Sequence, residues 1–281
     1  MTDKIQLGKK EFPLKNQTYV MGILNVTPDS FSDGGNFNQV DKALCHVEEM
    51  IKDGCHIVDI GGESTRPGYT FVPVEEEIQR VVPVIEAIKA RFDIPISLDT
   101  YKYQVAEAGI LAGADLINDI WGLKYDEGQM AQVIAKHQAA CCLMHNRKET
   151  DYRSFIQDVL GDLQQTVQIA QNAGIANNRI ILDPGVGFAK SYEQNLQVLA
   201  HLKDFNTLDY PMLLGTSRKS VIGMTLDLPS GEREEGTLVT TAAAVEAGWN
   251  FVRVHNCRAN ARAIKMARAI CDAKWADKEE A

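Results

Sequence analysis

No stretch of the 281-residue chain approaches the roughly 18 consecutive apolar residues of a membrane-spanning helix. The opening residues, MTDKIQLGKK, lack the apolar core of a signal peptide. Cysteine is scarce, and its six occurrences (Cys45, Cys55, Cys141, Cys142, Cys257, Cys271) form no C-x-x-C pair. Cys141 and Cys142 sit in the apolar run from Ala139 to Met144, where free cysteine serves as a small hydrophobe. A cytoplasmic protein with reduced thiols and no membrane partner is expected. Basic charge is short as well: 29 Lys and Arg face 38 Asp and Glu, a net charge of −9. Nucleic acid demands a basic footprint and is excluded as a main partner, whereas a local pocket for a small anion is not.

Familiar site motifs are missing too. Gly215-Thr216-Ser217-Arg218-Lys219-Ser220 ends in Lys-Ser but has no glycine before the lysine, so it is not a P-loop. Gly185-Val186-Gly187 is half of a dinucleotide fingerprint, no His/Cys/Glu spacing makes a zinc site, and no nucleophile elbow occurs. No Pro/Gly/Ser-rich linker or charge block divides the chain, which reads as one domain over 1–281, with a barrel over 15–276 and an extension over 1–14.

What is present is regular. Eight apolar runs read as strands: Tyr19 to Val26, His56 to Gly61, Pro95 to Thr100, Leu116 to Ile120, Ala139 to His145, Arg179 to Pro184, Pro211 to Thr216 and Phe251 to His255. Between them lie helical patterns. Val74 to Arg91 puts Ile78, Val81, Val82, Ile85 and Ile88 on one face, and Phe155 to Ala173 does the same with Ile156, Val159, Leu160, Leu163, Val167 and Ala170. A last helix is expected from about Ala259 to Trp275, with a frayed tail beyond it. Strands that are apolar without alternation are buried on both faces of a parallel sheet. Eight such strand–helix units match a (β/α)8 TIM barrel, which needs about 250 residues. Ile5 to Leu14 is expected to form a β-hairpin plugging the barrel bottom. A doubly wound open sheet is the competing fold, but the first βα turn, Asn25 to Ser30, lacks the glycine-rich fingerprint usual there.

The runs end in Asn25, Asp59, Asp99, Asn118, His145, Asp183, Ser217, and Arg253 with His255. One Asp after a strand is usually a turn or helix cap. Polar groups after nearly every strand instead converge on the C-terminal mouth, where barrel enzymes place their sites. Asp99, Asn118 and Asp183 suit the donor-rich edge of a 2-amino-4-oxo heterocycle. Lys219, Arg253, His255, Arg66 and Thr65 suit phosphate oxygens. Arg66, Lys219, Arg253 and His255 are expected to form a small cationic patch hidden by the overall negative charge. Two loops rich in small and polar residues, Thr27 to Gly35 and Gly61 to Gly68, are expected to act as lids over the mouth.

The segment from Met21 to Gly35 (MGILNVTPDSFSDGG) and that from Asp59 to Gly68 (DIGGESTRPG) resemble the two signatures of the dihydropteroate synthase family. Shorter matches follow in family order: Ser97 to Thr100, Ile117 to Asp119, Leu143 to His145, Asp183 to Gly185, Thr216 to Ser220 and Arg253 to His255. The resemblance spans essentially the whole chain. It implies transfer of a pterinylmethyl group, from 6-hydroxymethyl-7,8-dihydropterin diphosphate to 4-aminobenzoate, in folate biosynthesis. It also implies a Mg²⁺ requirement, sulfonamide inhibition and a homodimer. Asp183, Lys219, Arg253 and His255 would be catalytic. Thr65, Asp99, Asn118, Met144, Phe188 and Gly215 would join them in holding pterin and diphosphate, with Asn25 on the metal. Phe31, Thr65, Arg66, Pro67 and Ser220 would line the aminobenzoate pocket.

The chain departs from the family pattern at three places. Ala189 stands where the second glycine of Gly-Phe-Gly-Lys is usual, and its methyl is tolerated unless the position needs positive φ. Asn146-Arg147 follows His145 where another Met is common, and Asn256 follows His255 where an acidic residue is common. Two other readings stay open: a pterin-binding methyltransferase domain, which need not bind diphosphate, and a non-catalytic paralogue. For the dimer, a C-terminal helix face bearing Ala263, Met266, Ala267, Ile270 and Trp275 is the candidate surface.

Overall fold

Short apolar runs become short parallel strands, and the longer amphipathic segments between them become the helices that cover those strands. The structure is a computed structural model that describes residues 3–26, 36–63 and 71–279, leaving the side chains of 36–39 and 274–279 undescribed. The strands of the main sheet are β3 (Tyr19–Asn25), β4 (Ile57–Gly61), β5 (Ile96–Asp99), β6 (Leu116–Asp119), β7 (Ala140–Met144), β8 (Ile180–Asp183), β9 (Leu213–Leu214) and β10 (Phe251–Val254). They pair in parallel in the order β8-β7-β6-β5-β4-β3-β10-β9. A parallel bridge between Leu182 and Met212 joins β8 to β9 and closes the barrel. All eight runs expected from the sequence are strands, trimmed by a residue or two at most ends. The largest trim is at β9, where Pro211 has no N–H to give the ladder and offers only its carbonyl, to Leu182 N.

The helices are α1 (Asn36–Lys52), α2 (Val74–Arg91), α3 (Tyr103–Ala112), α4 (Gln129–His137), α5 (Phe155–Asn172), α6 (Tyr192–Ala200), α7 (Ser220–Leu226), α8 (Glu234–Glu246) and α9 (Cys257–Glu279). One helix follows each strand, except that both α7 and α8 lie between β9 and β10. α2 has the bounds read from its periodicity and buries Val81, Val84, Ile85 and Ile88. α9 continues to Glu279, past the end expected at Trp275. Asn256 starts it: its side-chain oxygen accepts from Ala259 N at 3.1 Å, so this departure from the family pattern is a helix cap.

The N-terminal extension is an antiparallel hairpin, β1 (Lys4–Leu7) and β2 (Lys10–Pro13). Its turn needs Gly8, which has φ +58°, and a Cβ there would lie 2.0 Å from Asp115 Oδ1. Ile5, Leu7, Phe12 and Leu14 pack with Met21, Ile57, Leu116, Ile181, Leu213 and Phe251 in one buried cluster. These last six are the innermost residues of the lower strands, so the hairpin plugs the barrel bottom. A second, larger cluster lies between strands and helices. With the lower barrel filled, the opposite end is the one that can take a ligand.

Candidate active site

Register decides which polar side chains meet. Asn25 pairs with Gly61, Gly61 with Asp99, and Asp99 with Asn118, so these residues share one row at the C-terminal rim. Asp59 pairs with Ser97 one layer below, and Asp183 pairs with Met144. Alternation along each strand turns these positions inward, toward Arg253 from β10.

Arg253 organises one side of the mouth. Its Nε donates to Asp59 Oδ2 and its Nη2 to Asp99 Oδ2, each at 2.6 Å. Ser97 Oγ donates to the other oxygen of Asp59, which is fully buried. Although burial alone would lower the Arg253 pKa, the two carboxylates hold the guanidinium firmly protonated. Burial pushes Asp99 up to about 7; Arg253 opposes that rise and Asp59 adds to it. Among the described residues the buried Asp99 Oδ1 has no hydrogen-bond partner, an acceptor that points to a ligand donor.

Asp183 and Lys219 face each other on the other side. Burial raises the Asp183 pKa, against the pull of Lys219 and of the Gly185 N–H, which donates to Oδ1 at 2.7 Å. Burial lowers Lys219 to about 8, with Asp183 resisting. The Lys219 ammonium donates to the Val186 carbonyl and lies 4.5 Å from the centre of the Phe188 ring. A Cβ on Gly215 would stand 3.5 Å from Asp183 Oδ2 and 3.9 Å from Arg253 Cβ, so the glycine leaves the space between them open. The expected cationic patch is therefore a mixed one: Lys219 and Arg253 face Asp59, Asp99 and Asp183.

His255 is set by Ser217, whose Oγ accepts from His255 N at 3.2 Å and lies 2.9 Å from His255 Nδ1. Ser217 thereby fixes the orientation of the imidazole ring. Ser220 opens α7 and is exposed. Met144 packs with Tyr101, Ile120, Trp121 and Phe188 in a small apolar cluster at the mouth. Tyr101, Ile120 and Trp121 escaped the sequence reading, although an Ile-Trp pair straight after Asn118-Asp119 was a signal for them.

His145 does not join the mouth. Alternation after the inward Met144 turns it outward, where it is buried against α5 with Nε2 3.0 Å from Asp162 Oδ2. Asp119 is a local cap for the N–H groups of Trp121 and Leu123. Arg147 binds Asp162 and lies 4.5 Å from the centre of the Tyr152 ring, so this departure from the family pattern serves the loop's own packing. Phe31, Thr65, Arg66 and Pro67, and most of both expected lids, lie outside the described residues. The base of the second loop carries a network that sequence reasoning missed: buried Lys102 donates to Glu77 Oε2 at 2.7 Å and to the Val72 carbonyl at 2.6 Å, and also binds Glu63.

Among the described residues no group of three or more His, Cys, Asp or Glu side chains could hold a metal ion. Asp59 is already spent on Arg253 and Ser97. Asn25 is exposed at the end of β3 and offers a neutral amide oxygen. That donor fits a Mg²⁺ ion that takes its remaining ligands from phosphate oxygens and water.

The chain is similar to known proteins over nearly its whole length. The family of pterin-binding enzymes matches residues 21–255. A dihydropteroate synthase of Clostridium beijerinckii is 56% identical over 267 residues, covering 95% of this chain and 99% of the relative. The crystal structure of a dihydropteroate synthase from Clostridium difficile in the presence of pteroic acid superposes with a TM-score of 0.89 at 47% identity, covering 92% of this chain and 98% of that one. The Xanthomonas albilineans dihydropteroate synthase with 4-aminobenzoic acid gives the same TM-score at 38% identity, covering 96% and 98%.

Proposed function

The chain belongs to the dihydropteroate synthase family of pterin-binding enzymes and shares its function in folate biosynthesis, and we propose that its barrel mouth joins 6-hydroxymethyl-7,8-dihydropterin diphosphate to 4-aminobenzoate. The observation that carries the reading is the buried, unpartnered Asp99 Oδ1 in the same mouth as Asp183 and Lys219. Asp99, Asn118 and Asp183 hold the amino-oxo edge of the pterin, and Lys219 donates to a ring acceptor. Gly215 leaves room for the ring, and Met144 and Phe188 supply apolar surface for it. Arg253 and His255 meet the diphosphate, together with Thr65 from the second loop. Asn25 would hold Mg²⁺, which when bound neutralises charge on the departing diphosphate. Phe31, Thr65, Arg66, Pro67 and Ser220 line the aminobenzoate pocket.

An arylamine is a weak nucleophile, so the barrier falls mainly from the leaving-group side. The bond between the pterin methylene and the bridging oxygen breaks first, and diphosphate leaves with the electron pair. The dihydropterin delocalises the methylene cation, and anionic Asp183 favours it electrostatically. The aminobenzoate nitrogen then attacks the methylene and gives up one proton, leaving 7,8-dihydropteroate. Asp183→Asn is expected to lose far more kcat than substrate affinity; equal losses in both contradict a dissociative path.

We also assign the chain to a homodimer built on the face of α9. Met266 and Ile270, one turn apart, are 63% and 48% exposed, while Ala267 and Cys271 pack inward on Val245. No helix among the described residues is long and apolar enough to cross a membrane, and we place the reaction in the cytoplasm.

A further inference from the structure

Asp183 and Lys219 are both held by one loop, residues 184–190 between β8 and α6. The loop gives Asp183 its Gly185 N–H, gives Lys219 the Val186 carbonyl, and lays the Phe188 ring beside the ammonium. It bends through three positive-φ residues: Gly185 (+71°), Gly187 (+85°) and Ala189 (+47°). The segment is held by Asn195 Oδ1, which accepts from Gly187 N at 2.6 Å, by Tyr152 OH on the Ala189 carbonyl, and from within by the Lys190 ammonium, which donates to the carbonyls of Gly185 and Phe188, each at 3.0 Å. Its third contact is His145 Nδ1 at 2.9 Å.

The direction of each proton follows. Lys190 can only donate, so Nδ1 of His145 accepts and the ring proton sits on Nε2, facing Asp162 Oδ2. Burial lowers His145 to about 4, which keeps the ring neutral. Arg147 Nε binds the same oxygen of Asp162. A half-buried file of Arg147, Asp162, His145 and Lys190 therefore runs from α5, behind the end of β7, into the loop under the site. Among the described residues none of its members hydrogen-bonds a side chain of the mouth.

We propose that Lys190, seated by His145 and Asp162, is a positioning residue for the reaction: it fixes the loop that carries Phe188 and that presents the Gly185 N–H to Asp183. The charged groups acting on Asp183 are Lys219 after β9, Arg253 on β10 and Lys190 from its own loop, with the Cys142 thiol on β7 beside it. Lys190 itself feels Asp183, Lys219, Asp162 and Arg147. Burial lowers Lys190 to about 7, so it carries its charge throughout the acid range in which a carboxylate titrates. Removing that charge leaves burial less opposed, and Asp183 takes up a proton at higher pH.

The inference rests on the synthase reading, and the full chain tests it through kcat and KM for both substrates, measured across pH. Lys190→Met is expected to lose about 100-fold in kcat/KM for the pterin diphosphate, with the acid limb of its profile moved up by about half a pH unit or more. Lys190→Arg should retain the limb and lose less than about 10-fold. His145→Gln should lose about 10-fold with the limb unmoved, because the ammonium stays. Lys190→Met with the wild-type limb, or with a loss matched by Lys190→Arg, overturns the proposal. If Lys190→Met fails to fold, His145→Gln and Asp162→Asn decide: wild-type kinetics in both overturn it. An inactive wild-type chain would count against the synthase reading instead.

Discussion

Arg253 on β10 bridges Asp99 on β5 and Asp59 on β4, giving each carboxylate a 2.6 Å hydrogen bond. One guanidinium shared by two buried carboxylates leaves Asp99 with an oxygen to spare, and that oxygen is the site's clearest invitation to a ligand. Arg253→Met leaves both carboxylates buried without their cation, at a cost of about 3–5 kcal/mol. Equilibrium urea unfolding measures it, and a loss below about 1 kcal/mol would mean that the bridge holds nothing together.

Burial of Asp99, which the bridge offsets only in part, gives the fold a pH signature. Asp99 sits at about 7 in the folded chain, against about 3.9 unfolded. Between those values the folded state keeps a proton that the unfolded state has released, so this group's contribution to stability falls as pH rises from about 4 to 7. Asp99→Asn should flatten that slope in urea unfolding followed across the window. An unchanged slope contradicts the assignment.

Ala189 lies at φ +47°, where glycine is at ease and alanine is strained. Its carbonyl accepts from Tyr152 OH at 2.8 Å, which helps to hold the strained conformation. After the entropy cost of a new glycine, Ala189→Gly should stabilise the chain by about 0.5–1 kcal/mol. Urea unfolding checks the gain, and a destabilised variant would show that the methyl packs well enough to offset the strain.

Met266 and Ile270 leave an apolar strip on α9 exposed in the single chain. Charging both, as Met266→Glu with Ile270→Glu, should turn a dimer into a monomer of unchanged helix content. Analytical ultracentrifugation with circular dichroism reads this, and a double variant that stays dimeric moves the interface elsewhere.

Most of the barrel was legible because its signals are local and repeated. Strands buried on both faces lack alternation, so the runs around Val58 and Leu143 announced parallel strands without any tertiary knowledge. The rim was legible because polar residues break those runs at their C-terminal ends. What stayed hidden depends on a partner distant in sequence. Nothing near Arg253 says that it would be divided between Asp59 and Asp99, 194 and 154 residues away. The sequence pattern points His145 at the mouth because its apolar run continues one residue past the strand; β7 ends at Met144, and the next side chain faces α5. The strain at Ala189 was foreseeable only as a condition on φ, which a sequence does not print.

The decisive assay gives the purified chain fresh 6-hydroxymethyl-7,8-dihydropterin diphosphate, Mg²⁺ and 4-aminobenzoate, and follows diphosphate and dihydropteroate together. Both products are expected in equal amounts, dependent on aminobenzoate. No aminobenzoate-dependent diphosphate release would contradict the proposed reaction.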